Sequence, residues 1–188
     1  MKKWFIYFLS VFAVLFIQCK KDKLPERPEG FTCIDESPSD VFTNDCKSNW
    51  NCSYELHPSS KLQFEEQEYE DVASIKNGDK LVFRAIWDTE GAANVIDDET
   101  TNTLLFEVDS DQTSFALDGE DFGLLNLRYQ QLCFCGDVHF KKEMTGCIQG
   151  KQLENGDWWV QSNLSVKYNE GGNYSFEVPV IMDALFKE

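Results

Sequence analysis

The amino-acid sequence predicts an all-β protein, an antiparallel β-sandwich, with a β-barrel as the alternative. Past residue 60, apolar side chains recur at every second position in short runs, which is the period of a strand with one buried face. Turn residues such as Asn77-Gly78 and Asn155-Gly156 separate these runs. Helical periodicity is weak after the first 20 residues, and its best candidates are short turns at 67–75 and 182–186.

The segment 31–60 precedes the alternating runs and differs from them in composition. It holds three cysteines, two prolines and many Ser, Asn and Asp residues. Such a composition predicts a loop-rich segment stapled by disulfides, in which Trp50 and Tyr54 pack against the domain. Residues 19–30 are charged and contain two prolines, so we expect an extended tether there and a single domain over 31–188.

Five strands are predicted in the middle of the chain, each from alternation and from the turn residues around it: 61–68, 80–87, 103–108, 112–117 and 124–135. The second of them shows the pattern well. The side chains that share its apolar face are Leu81, Phe83, Ala85 and Trp87.

The last third of the chain predicts a hairpin and one further strand. Residues 147–153 and 157–168 flank Asn155-Gly156, and Asn-Gly between two extended runs is a strong hairpin signal. The further strand, 174–180, contains Pro179. A proline has no N–H for the ladder, so this run is expected at a sheet edge or at a bulge.

Length and charge exclude one class of function. The chain has 188 residues, which suits one domain with a substantial core. Its formal net charge is −16, from 33 acidic and 17 basic residues, and the sequence has no basic stripe. A surface of this charge repels nucleic-acid phosphates, so nucleic-acid binding is excluded.

The first 18 residues have the layout of an export signal. Lys2 and Lys3 precede an almost unbroken apolar run over residues 4–17, and Cys19 follows it closely. As a helix this run extends about 21 Å, which is short of the roughly 30 Å hydrocarbon core of a bilayer. A signal peptide over residues 1–18 is therefore a better interpretation than a stable transmembrane anchor.

Cys19 ends a segment that resembles the signal peptide and lipobox of bacterial lipoproteins of the Bacteroidota type. The cysteine has no Ala-x-Ala site before it and Lys-Lys-Asp after it, although Ile17 and Gln18 stand where the strict motif has small residues. The resemblance covers about the first 25 residues, and it implies lipidation of Cys19 and a durable membrane anchor. Lys20 in place of an aspartate implies the outer membrane. The alternatives are an ordinary signal peptide and an uncleaved helix.

Seven cysteines are present, and six remain once Cys19 is assigned to lipid: Cys33, Cys46, Cys52, Cys133, Cys135 and Cys147. In an exported chain an even set predicts disulfides, because the compartment is oxidising. Cys133 and Cys135 are poorly placed to bond each other, so Cys147 is a candidate partner for one of them. The alternative is a zinc site, and its ligands would be Cys133, Cys135, His139 and Cys147.

Catalytic and metal-binding patterns are sparse in this sequence. Acidic clusters at 97–99, 109–111 and 118–121 carry oxygen ligands suited to calcium, but none has EF-hand spacing, so solvated loops are expected. His57 and His139 are the two histidines, and the chain has no Gly-x-Ser-x-Gly motif. We therefore expect neither an enzyme nor a bound metal or cofactor.

The best binding feature of the sequence is the pair Trp158-Trp159. Because side chains alternate along a strand, Trp158 is expected in the core and Trp159 on a polar face beside Gln161. An indole on such a face can stack on a sugar; the alternative is that it packs under a loop. The first functional hypothesis is thus a non-catalytic binding module for a glycan or a partner protein. A protease inhibitor-like domain and a carboxylate-based hydrolase are the rivals.

Overall fold

The computed structural model describes Cys33 and residues 42–46, 50–66, 71–89, 99–133, 139–170 and 174–188. These residues form two sheets of five strands each, together with one 3₁₀ helix. The predicted fold class, an all-β antiparallel sandwich with disulfides, is confirmed. Cys19 and Cys135 lie outside the described residues.

The strands follow one another along the chain with short connections. Their bounds are β1 Phe42–Thr43, β2 Trp50–Glu66, β3 Asp71–Asn77, β4 Lys80–Thr89, β5 Thr100–Asp109, β6 Ser114–Asp118, β7 Arg128–Cys133, β8 His139–Gln152, β9 Trp158–Glu170 and β10 Tyr174–Phe186. Sheet A has the order β1-β10-β9-β8-β6, and sheet B has the hydrogen-bonded order β3-β2-β4-β5-β7. The neighbours pair antiparallel, except β1 with β10.

Aromatic rings fill the core between the inner faces of the two sheets. Phe83 of β4 stacks on Phe106 of β5 with ring centroids 4.6 Å apart, and both residues belong to sheet B. Phe83 also meets two rings of sheet A edge-on, Trp158 at 5.3 Å and Phe186 at 5.5 Å. Phe115 of β6 lies 6.5 Å from the same ring. Since each such side chain buries a large area, this cluster joins both sheets.

The predicted hairpin around Asn155-Gly156 is confirmed, but its turn is longer than two residues. β8 and β9 pair up to Gln152 opposite Trp158, so five residues connect the strands. Only Gly156 has a positive φ, at 91°, whereas a two-residue Asn-Gly turn needs one at both positions. The Asn155 side chain instead accepts the backbone N–H of Asp157 at 3.2 Å. The resulting register places Trp158 in the core, as predicted, and Trp159 on the outer face.

β2 is bent near its middle. Its pairing with β4 shifts register between His57 and Ser60, and Ser60 is the last residue that pairs with β4. From Ser60 onward the strand also pairs with β3. Pro58 has no N–H for the ladder and Ser59 has a positive φ of 52°, so the regular pairing breaks there. Beyond the bend, Leu62 covers the outer face of sheet B in a second, smaller apolar cluster with Val82 and Leu105.

Glu107 fixes the bent part of β2 to the outer face of sheet B. Its side chain is nearly buried, and its carboxylate accepts the backbone N–H of Leu62 at 2.7 Å and the Asn126 amide at 2.6 Å. The ammonium group of Lys80 lies 3.3 Å away. A buried carboxylate is tolerated only when it is paired in this way, so the three partners together explain its position.

The two sheets are joined along one edge by the ends of β2 and β10. The backbone N–H of Leu56 donates to the carbonyl of Lys187 at 2.7 Å, which connects sheet B to the residue after β10. Within sheet A, Asn44, just after β1, fixes the end of β10: its side chain accepts the N–H of Leu185 at 2.7 Å and donates to the carbonyl of Leu185 at 2.9 Å. The hydroxyl of Tyr54 in β2 donates to the carbonyl of Thr43 at 3.0 Å. We call this edge the seam.

Three predicted elements differ from the structure. β2 begins at Trp50 rather than at residue 61, so the loop-rich segment ends earlier than expected. The helical turns at 67–75 and 182–186 are wrong, because the described residues there belong to β3 and β10. In both cases a neighbouring strand supplies pairing partners that outweigh the weak local periodicity.

The predicted strand 124–135 is shorter than expected at its beginning. Residues Phe122–Leu125 form the 3₁₀ helix, and Asn126 ends it in a left-handed conformation with φ of 50°. Only at Arg128 does the chain pair with β5. Asparagine tolerates the left-handed region better than most residues, and here its side chain is also held by Glu107.

Two disulfides are present among the described residues. Cys33 bonds Cys147 of β8, and Cys46 bonds Cys52 of β2, each pair with Cα atoms 5.7 Å apart. The predicted bond of Cys147 to Cys133 or Cys135 is therefore wrong. The zinc alternative is contradicted too, because it required the thiol of Cys147.

The adjacent tryptophans give a matched test of the register. Trp158→Ala should lower the free energy of unfolding by about 3–5 kcal/mol, because it empties a fully buried site. Trp159→Ala should lower the free energy of unfolding clearly less, because the Trp159 side chain is only half-buried, on the outer face. Urea unfolding of both variants measures the difference, and equal losses would contradict the assigned faces.

The two disulfides should differ in their contribution to stability. Cys33–Cys147 spans 114 residues and Cys46–Cys52 spans 6. In the chain-entropy model the disulfide that closes the long loop adds about 5 kcal/mol to the free energy of unfolding, and the one that closes the short loop adds about 2 kcal/mol. Cys33→Ser/Cys147→Ser should therefore lower Tm more than Cys46→Ser/Cys52→Ser in calorimetry. The reverse order would show that native contacts, rather than loop closure, dominate.

Candidate functional site

A cleft of about 260 Å³ opens between the sheets where they part from the seam. Its lining consists of three aromatic residues, four polar residues and a short stretch of β10: Trp50, Trp87 and Tyr129; Thr89, Thr100, Asn102 and Gln131; and residues 178–180. The first seven come from β2, β4, β5 and β7 of sheet B. The cleft thus has one wall from each sheet.

Strand alternation explains why these side chains meet. Trp87 pairs with Asn102 across β4 and β5, and Asn102 pairs with Gln131 across β5 and β7. Phe83 and Phe106 lie on the same faces further along β4 and β5, in the core. The inner faces therefore change from purely apolar to mixed near the ends of the strands, and the cleft forms at that change.

Asn102 is the central polar residue of the cleft. Its side-chain oxygen accepts the hydroxyl of Tyr129 at 2.8 Å and the Nε2 of Gln131 at 3.1 Å. Burial raises the pKa of Tyr129 above its ordinary value, so this hydroxyl keeps its proton and remains a donor. Asn102 is 7% exposed, and no residue in the described part of the chain accepts a hydrogen bond from its Nδ2.

A hydrogen bond to Tyr54 fixes the indole of Trp87. Its Nε1 donates to the hydroxyl of Tyr54 at 2.9 Å, and that hydroxyl donates onward to Thr43. Burial raises the pKa of Tyr54 to about 12, although the hydrogen bond from Trp87 acts in the opposite direction. Because this donor is already used, Trp87 contributes its ring rather than its N–H to the cleft.

The electrostatic character of the cleft is neutral. None of the lining residues in the described part of the chain carries a charge, while the chain as a whole has a net charge of −16. Thr89 and Thr100 at the end of the cleft bond each other, since the N–H of Thr100 donates to the hydroxyl of Thr89 at 2.8 Å. Indole rings beside amides and hydroxyls suit a small uncharged ligand with both an apolar face and polar groups.

Trp159, the binding residue that the sequence predicts, lies outside this cleft. It is half-buried on the outer face of sheet A, and its Nε1 donates to Asp183 at 2.6 Å. The other carboxylate oxygen of Asp183 accepts a hydrogen bond from the amide nitrogen of Gln161 at 3.0 Å. The amide oxygen of Gln161 in turn accepts one from the amide nitrogen of Gln149 at 2.6 Å. This face is polar, as expected, and its side chains are tied into a hydrogen-bonded row across β8, β9 and β10.

The remaining sequence candidates are dispersed. His57 bonds Glu55 at 3.0 Å, and Glu55 also binds the guanidinium of Arg84. Desolvation alone would raise the pKa of Glu55, but Arg84 and His57 together lower it below its ordinary value. Asp97, Asp98 and the His139 side chain lie outside the described part, within which no group of three His, Cys, Asp or Glu residues is placed to hold a metal.

Sequence reasoning missed the cleft because its residues are far apart in the chain. Trp50 was expected to pack against the domain, and Asn102 and Gln131 appear in the sequence as ordinary polar residues near strand ends. Only the pairing of β5 with β7, which is not readable from alternation, brings the two amides together. The one sign of the cleft that strand alternation gives is the presence of two tryptophans, Trp50 and Trp87, on the paired strands β2 and β4.

Comparison with protein-family models, with curated proteins and with solved structures finds no match to this chain. In the described part of the chain, no helix has the length and apolar character needed to cross a membrane. The cleft and the outer face of sheet A are therefore interpreted from their own chemistry.

Proposed function

We propose that the protein is a lipid-anchored, non-catalytic binding module of the bacterial cell envelope that holds a neutral glycan in the cleft. The observation that carries this proposal is the composition of the cleft, in which two indole rings lie beside the amide groups of Asn102 and Gln131 and none of the described lining residues is charged. Sugars have an apolar C–H face that packs on indole and hydroxyls that bond to amides.

The size of the cleft supports a small ligand. Pockets for drug-sized ligands measure roughly 300–1,000 Å³, and this one measures about 260 Å³. One or two sugar rings fit such a volume, so the ligand is the end of a glycan or a short branch. A longer chain would extend past the open side of the cleft.

A binding role accounts for the lining better than the rival roles do. Hydrolysis by a carboxylate pair needs two acids across the bound sugar, and the lining residues that the structure describes include none. An inhibitor-like domain needs a rigid projecting loop, and no specific feature of the described residues favours one. A partner protein would bind an outer face, and nothing in the described residues marks a surface for it as clearly as the cleft marks a small ligand.

The anchor is proposed from the segment that ends at Cys19. Cys19→Ala should move the protein from the detergent phase to the aqueous phase on phase separation, because acyl chains contribute roughly 0.8 kcal/mol for each buried methylene. Lys20→Ala is the matched control, since it leaves the thiol in place. Mass spectrometry should find an acylated Cys19 at the mature N-terminus. An unmodified N-terminus beyond position 19 would overturn the anchor.

The site is tested with two tryptophan variants and calorimetric titration with neutral oligosaccharides. Trp50→Ala should weaken binding by at least about tenfold, because it removes a stacking ring from the cleft. Trp159→Ala should leave the affinity unchanged, since its ring lies on the outer face of sheet A. If only Trp159→Ala weakens binding, the ligand site is the outer face and the cleft proposal is wrong. If no neutral glycan binds, the proposed function is wrong.

A further inference from the structure

We infer that the cleft recognises the acetamido group of an N-acetylated sugar, through a donor from Asn102 and an acceptor from Gln131. The inference rests on the proposed function, because it names the class of glycan that the cleft would hold. It depends on how these two amides bond each other, and not on the presence of polar residues alone.

Asn102 presents a donor. Its side-chain oxygen accepts two hydrogen bonds, from Tyr129 and Gln131, which leaves the amide nitrogen as the group that can bond a ligand. The amide is planar, and its Nδ2 therefore lies on the side away from Tyr129 and Gln131. Asn102 is more than nine-tenths buried, yet its Nδ2 is not among the fully buried side-chain atoms of the described residues that lack a partner, so this nitrogen stays accessible to a ligand. A ligand carbonyl oxygen in the cleft would satisfy it.

Gln131 presents the complementary acceptor. Its Nε2 is used by the oxygen of Asn102, while no residue of the described part donates to its Oε1. The amide pair thus keeps one donor, the nitrogen of Asn102, and one acceptor, the oxygen of Gln131. An acetamido group carries the two complementary partners, a carbonyl oxygen for Asn102 and an N–H for Gln131.

The rest of the cleft fits the remainder of this group. The acetamido methyl is apolar and matches the indoles of Trp50 and Trp87, of which Trp87 has its N–H already occupied. A free amino sugar lacks the carbonyl and the methyl. An acidic sugar would find no cation among the described lining residues, and the chain's net charge of −16 would repel it. The neutral acetamido group matches the amide donor, the amide acceptor and the indole rings of the cleft together.

The test compares three β-1,4-linked glucose-type disaccharides that differ only at carbon 2, where they carry acetamido, hydroxyl or free amino groups. Calorimetric titration uses the complete folded protein, and an N-acetylgalactosamine disaccharide is added to cover the other ring configuration. The better of the two acetamido ligands should bind at least about tenfold more tightly than the hydroxyl ligand, the gain of roughly one well-made buried hydrogen bond.

Asn102→Asp is the informative variant, because it keeps the acceptor for Tyr129 and Gln131 and replaces only the donor nitrogen. It should weaken binding of the acetamido ligand by at least about tenfold and that of the hydroxyl ligand much less. Gln63→Glu makes the same amide-to-acid change at an exposed position of β2 and should change neither affinity. If Asn102→Asp does not fold, Gln131→Met at a half-buried position removes the acceptor instead, with the same expected selectivity.

The outcomes separate this inference from the proposed function. Equal binding of the acetamido and hydroxyl ligands, with equal losses in Asn102→Asp, would overturn acetamido recognition and leave glycan binding in the cleft intact. Selective binding of the acetamido ligands that survives Asn102→Asp and Gln131→Met would assign the recognition to other residues, and the inference would be wrong. Failure of all four disaccharides to bind overturns the inference, and failure of other neutral glycans as well overturns the proposed function.

Discussion

The ring of Phe83 lies at the junction of the two sheets, where it stacks on Phe106 of its own sheet and meets Trp158 and Phe186 of the other. Strand alternation places each of these rings on an inner face, and their size sets the spacing of the layers. This contact holds Trp158 in the core, on the face that the register of the hairpin between β8 and β9 assigns to it. A slip of one residue in β4 or β9 would turn an aromatic ring outward and separate the sheets.

The cleft lies beyond the end of the aromatic core, in a part of the sandwich that the bonds of the seam do not close. At the seam, Leu56 and Lys187 bond the two sheets directly, and further from it the walls separate. The inner-face positions that reach this gap are Trp87 and Asn102, neighbours of core residues on the same strands. One alternation therefore produces an apolar core and, at the strand ends, a mixed surface suited to a ligand with two kinds of face.

The sequence predicted the parts of this protein that depend on local pattern. The strand holding Phe83, the hairpin at Asn155-Gly156 and the opposite faces of Trp158 and Trp159 follow from a period of two and from turn chemistry. The features that it could not predict depend on distant pairing. The partner of Cys147 is Cys33, and Asn102 meets Gln131 only because β7 joins β5.

The disulfide between Cys33 and Cys147 determines which strand carries a pulling force that is applied to the N-terminal end of the chain. A pull on the chain before Cys33 passes directly into β8, a strand that has a neighbour on each side in sheet A. The short strand β1, with two paired residues, is bypassed. If the chain is tethered at its N-terminus and the cleft holds a fixed ligand, the domain can resist being drawn away from that ligand without peeling at its weakest strand. Reduction of this one bond would transfer the pull to β1.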